Sequence, residues 1–155
     1  ARYLDTPDPR LDQSSTIRAI GEIQVFTEYY PYSDYKRAAN DMLYELHDRL
    51  VEKEYRSAKL YYDLGNYMGN NYESAVIVAK NAIKDYPYSK YKEELELLVL
   101  KARYQEASQS VDEKKADRFR IVLDEYYSYI NNYPDSPNKE EADNIYKIAS
   151  KYISE

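Results

Sequence analysis

His47, Glu93, Glu94 and Glu96, with serines scattered along the chain, are the residues of this 155-residue sequence whose types can do acid–base, nucleophilic or metal chemistry. Their spacing supports little of it. His47 is the single histidine and no cysteine is present, so a transition-metal site lacks its second nitrogen or sulfur ligand and thiol catalysis has no nucleophile. Two carboxylates acting as acid and base need different environments across a cleft. Glu93, Glu94 and Glu96 are close neighbours on one helical stretch and read as a solvated face. No serine lies in a nucleophile elbow, and 3 glycines are too few to suggest a phosphate-cradling loop. The expectation is a protein with no catalysis, no cofactor and no metal.

Tyrosine is the abundant functional side chain: 21 residues, against 2 phenylalanines and no tryptophan. Its apolar ring and polar tip suit half-buried surfaces and protein interfaces. Tyr61, Tyr62, Tyr126, Tyr127 and Tyr129 are denser than packing requires, and because consecutive residues of a helix point in different directions, each adjacent pair should expose one ring. Tyrosines also stack on single-stranded nucleic acid, but a net charge of −6 has the wrong sign for holding phosphates. The one basic cluster, Lys114, Lys115, Arg118 and Arg120, reads as a solvated helix start. No apolar run approaches the ~18 residues that cross a bilayer, and the opening residues do not read as a signal peptide.

Those side chains must be positioned by helices. The tetrapeptides Tyr30-Pro31-Tyr32-Ser33, Tyr86-Pro87-Tyr88-Ser89 and Tyr133-Pro134-Asp135-Ser136 recur as punctuation, with proline closing one helix and serine capping the next. Tyr30, Tyr86 and Tyr133 are expected to pack these corners. Ahead of each corner runs an apolar stripe of helical period: Ile17, Ile20, Ile23 and Phe26; then Ala75, Ala79 and Ala82; then Phe119, Val122, Tyr126 and Ile130. Further helices are predicted over about 34–68, 90–107 and 137–154. The first has no Gly or Pro before Gly65, so it is either one unusually long helix or two with a bend near Glu52–Glu54. Gly65, Gly69, Asn70 and Asn71 then supply a turn. Pro137 is placed at the first helical position behind Ser136.

Six helices without strands, punctuated at a repeat, predict an all-α fold: a tetratricopeptide-like, right-handed solenoid of antiparallel helix pairs with elongated helices. Pro31 and Pro87 are 56 residues apart, and Pro87 and Pro134 are 47 apart, both longer than the ~34 of a standard tetratricopeptide repeat. The middle unit matches that repeat best, through Tyr61, Leu64, Gly65, Tyr72, Ala75, Ala79 and Ala82. Residues 1–155 read as a single repeat domain. The stretch 12–30 is, by repeat logic, a second helix whose first partner is missing, so the domain is expected to be the C-terminal half of a longer protein.

The stretch Asp48-Arg49-Leu50, Glu54-Tyr55, Ala58, Tyr61-Tyr62, Ala75-Val76 and Asp85-Tyr86-Pro87, with Asp8-Pro9-Arg10 and Tyr29-Tyr30-Pro31 ahead of it, resembles the C-terminal half of the BamD (ComL) family. These are tetratricopeptide lipoproteins of the outer-membrane β-barrel assembly machinery. The resemblance implies a non-enzymatic scaffold on the periplasmic face of the outer membrane of a Gram-negative bacterium, docking a POTRA domain of the barrel subunit BamA. Other assembly lipoproteins and unfolded outer-membrane proteins are implied as further partners. The family's lipid anchor sits on an N-terminal cysteine that this chain does not have. Where family members present an arginine to BamA, the aligned residue here is Val78, with Lys80 and Lys84 near enough to supply charge. The partner-binding residues so implied are Arg56, Lys59, Tyr62, Asp63, Lys80 and Lys84. A tetratricopeptide adaptor of another periplasmic or cytosolic complex is the alternative with the same fold.

Overall fold

The computed structural model describes residues 3–154, and among them every regular element is a helix. In chain order these are α1 (Ser14–Tyr29), α2 (Lys36–Leu64), α3 (Asn71–Asp85), α4 (Lys92–Ser108), α5 (Asp112–Asn132) and α6 (Lys139–Lys151). The fold is all-α and tetratricopeptide-like, as the corners and stripes predict. The long segment is one helix: α2 runs unbroken through Glu52–Glu54 for 29 residues, about 43 Å at 1.5 Å per residue.

The three proline corners share one geometry. Tyr30, Tyr86 and Tyr133 close their helices at φ/ψ of −128/60, −132/65 and −135/63, out of the helical region, as a following proline demands. The serine N–H then bonds back to the tyrosine carbonyl at 3.1, 3.1 and 3.3 Å. Serine does cap, but through an opening tight turn. Ser33, Ser89 and Ser136 Oγ accept the N–H two residues on, at 3.2, 3.1 and 3.0 Å, and the α-helix begins three residues after the serine. Pro137 therefore belongs to that tight turn, and α6 starts at Lys139.

Packing follows one rule. Val51, Tyr55, Ala58 and Tyr62 of α2 lie in the furrow formed by α3 and α4, against Ala75, Ala79, Ala82, Leu95 and Leu98. Leu97, Leu100, Tyr104 and Ala107 of α4 lie likewise against α5 and α6. Alanines at 75, 79 and 82, all buried, let α3 approach its neighbours closely. The corresponding furrow between α1 and α2 is lined by Ala19, Ile23, Phe26, Ala39 and Met42, and among the described residues only Tyr3 and Leu4 reach over it. This explains an exception to the corner expectation. Tyr86 and Tyr133 are half-buried in the cores, but Tyr30 stays 60% exposed beside Phe26, because no described helix stands where α2 meets Tyr86.

Residues 3–13 strap along α2. Tyr3 Oη donates to Glu45, the Arg49 guanidinium reaches Thr6 and also Glu45 Oε1 at 2.9 Å. Gln13, buried, donates to the Asp8 and Leu11 carbonyls at 2.8 and 3.0 Å and accepts from buried Thr16 at 2.6 Å.

Candidate docking face

The residues that could have done chemistry are spent on structure. His47 is half-buried on α2 with its ring 5.6 Å from Tyr86, and among the described residues no group of three or more potential metal ligands forms. Glu94 is exposed, but Glu93 and Glu96 are not the solvated pair their spacing suggests. Glu93 Oε1 accepts from Tyr129 Oη at 3.0 Å and from Ser136 Oγ, and Glu96 Oε2 accepts from Asn132 Nδ2 at 3.2 Å. They tie α4 to the α5–α6 corner. The burial of Tyr133 together with these carboxylates pushes its phenol pKa well up. The basic cluster is also locally engaged: Lys115 pairs with Asp112 at 3.4 Å, Arg120 with Asp117 at 2.5 Å, and Arg118 donates to Ser110.

The six implied partner-binding residues fall on two surfaces. On α2, Arg56 pairs with Glu52 at 2.7 Å and sits beside the strap, where Arg10 holds Asp8 at 2.9 Å and lowers its pKa to about 2. Lys59 and Asp63 continue that stripe, exposed and without an ion pair among the described residues. Tyr62 turns inward instead. Its ring meets Tyr72 edge-on at 5.8 Å, Lys101 lies 5.7 Å over its face, and burial raises its pKa. On α3, Lys80 pairs with Glu125 of α5, and Lys84 lies beside it. Lys80, Ile83 and Lys84 face Glu125, Ser128 and Tyr129 across a hollow of about 300 Å³ floored by Val99 of α4. Ile77, 51% exposed, extends the α3 stripe at helical spacing.

Sequence reasoning missed the α5 half of this surface. Glu125 lies 45 residues from Lys80 and nothing in local spacing links them. It also missed the bracing of α3 by α4, where half-buried Arg103 pairs with Glu73 and, at 2.9 Å, with Glu106, leaving its buried Nε without a partner. The tyrosine pairs divide as expected. Tyr127 is 50% exposed while Tyr126 stacks on Tyr146 at 4.7 Å and donates to Asp143 at 2.8 Å, and Tyr61 is 37% exposed while Tyr62 packs against Tyr72.

Residues 3–69 match the model of the YfiO family, described as outer membrane lipoproteins, the BamD-like family that the sequence resembles. The match takes in the strap, α1, the first proline corner and all of α2. No curated protein matches the chain.

Proposed function

We propose that this domain is a non-enzymatic scaffold of outer-membrane β-barrel assembly that docks a periplasmic POTRA domain of the barrel subunit. The observation that carries the reading is the match of residues 3–69 to the outer membrane lipoprotein family. The fold supports it: stacked helix pairs present extended surfaces whose use is binding another chain. The α3–α5 hollow supplies what a docking site requires, an apolar patch from Ile77 and Ile83 rimmed by Lys80, Lys84 and Glu125. Lys80 and Lys84 lie two and six residues beyond Val78 on α3, so they bring positive charge to the helix on which the family carries an arginine, though on another of its faces. Lys59 and Asp63 at the end of α2 form a second, flanking contact.

Binding of the purified domain to the cognate POTRA domains, measured by calorimetry, tests this. Lys80→Glu with Lys84→Glu should weaken binding at least tenfold, or about 1.4 kcal/mol, chiefly through the association rate. Binding that both reversals leave intact places the interface elsewhere, and absence of binding refutes the reading.

A further inference from the structure

The opposite flank of α3 carries a second and larger groove, created by the length of α2. Because α2 runs for 29 residues, α1 packs against its first half and α3 against its second, and the start of α1 faces the end of α3 across the middle of α2 without touching it. The hollow between them holds about 600 Å³. Its floor is apolar: Ile17 and Ile20 of α1, Leu50 of α2, and Ala82 and Tyr86 of α3 and its corner. Ile17 is 61% exposed there. Asp12, Glu54 and Asp85 stand around the rim, and Lys53 is the single cation. His47, Asp85 and Tyr86 are shared with a second hollow of about 250 Å³, which adds Tyr44 and Asp48 of α2 and Tyr88 of the α3–α4 corner. The two form one trough with four carboxylates, an apolar floor at one end and tyrosine faces at the other.

We infer that this trough takes an extended, basic segment of a partner polypeptide, seating one apolar side chain over Ile17 and Leu50 and presenting lysine or arginine to the carboxylates and tyrosine rings. Charge complementarity selects the occupant. An acidic or neutral segment meets four carboxylates against one lysine, whereas a guanidinium or ammonium is matched by carboxylates and by the faces of Tyr44, Tyr86 and Tyr88. The two hollows lie side by side and share His47, Asp85 and Tyr86 as lining, which suits a linear segment better than a compact ligand. This site goes beyond the α3–α5 docking surface and stands without it, since α3 separates the two.

The test uses fluorescein-labelled ten-residue probes of alternating Lys-Leu, Glu-Leu and Lys-Ser, read by fluorescence anisotropy against the whole chain. The Lys-Leu probe should bind, with affinity falling as salt is raised, and the other two should bind at least tenfold more weakly. Glu54→Lys with Asp85→Lys, and separately Ile17→Ser, should each weaken the Lys-Leu probe at least tenfold. Asp117→Lys with Asp135→Lys makes the same charge change outside the trough and should leave binding within twofold. All five positions are exposed, so the variants should keep the helical circular dichroism of the parent. Equal binding of the Glu-Leu probe, equal loss in the control variant, or no binding of the Lys-Leu probe overturns the inference.

Discussion

Replacing Gly65 by alanine should destabilise the fold far more than an exposed loop substitution, and the structure sets the size. Gly65 closes α2 at φ 55, ψ −118, a conformation essentially restricted to glycine that costs an alanine about 1–3 kcal/mol. A Cβ there would also stand 2.7 Å from Tyr72 Oη and 3.1 Å from Cζ. The Tyr72 ring cannot easily move, because it is buried, packs edge-on against Tyr62, and accepts a hydrogen bond from Gln109 Nε2 at 3.1 Å. Overpacking of this kind adds about 1–3 kcal/mol. The total is about 2–6 kcal/mol, and at about 2–4 °C per kcal/mol for a chain of this size the melting temperature should fall by about 10 °C. Far-ultraviolet circular dichroism measures it. Tyr72→Phe deletes the nearer atom, so the double variant should be less destabilised than the sum of the two singles by about 1 kcal/mol. A melting temperature within about 2 °C of the parent, or strict additivity, refutes the reasoning.

The third corner is bonded more richly than the first, so Ser136→Ala should cost about 1–2 kcal/mol by urea denaturation and Ser33→Ala about half that or less, since among the described residues Ser33 Oγ accepts the Tyr35 N–H alone whereas Ser136 also engages Glu93 and Tyr129. Burial first, then Glu52 and Asp143 respectively, raise Tyr91 and Tyr126 to about 12. Folding thus favours their neutral forms, and their contribution to stability is complete below pH 10 and lost as pH rises towards 12. Absorbance at 295 nm should show a late tyrosinate phase coinciding with loss of helix; a single phase near pH 10 with helix intact contradicts this. Arg56→Ala should leave the melting temperature within about 2 °C, because its pair with Glu52 is solvent-screened.

The corners were legible because they are local: proline ends a helix and serine caps the next within four residues. The middle unit was legible for a similar reason, with Gly65 at a turn and alanines at helical spacing down α3. The proposed docking surface was not, because pairs such as Lys80 with Glu125 depend on how far α5 stands from α3, which no spacing along the chain encodes. Tyr62 shows the same limit. Its partners Tyr72 and Lys101 lie on two other helices, and local spacing does not tell which ring of the Tyr61–Tyr62 pair they hold. Glu93 and Glu96 were misread as solvated for want of any local sign that the α5–α6 corner would come to rest on them.

Photocrosslinking from single positions in living cells tests the scaffold account most directly, with a benzophenone side chain placed in turn at Ile77, Lys84 and, as a distant control, Asp117. The account predicts adducts containing the POTRA-bearing barrel subunit from positions 77 and 84 and none from 117. Adducts to that subunit from 117 alone, or none from any position in cells where the domain is present and folded, would contradict it.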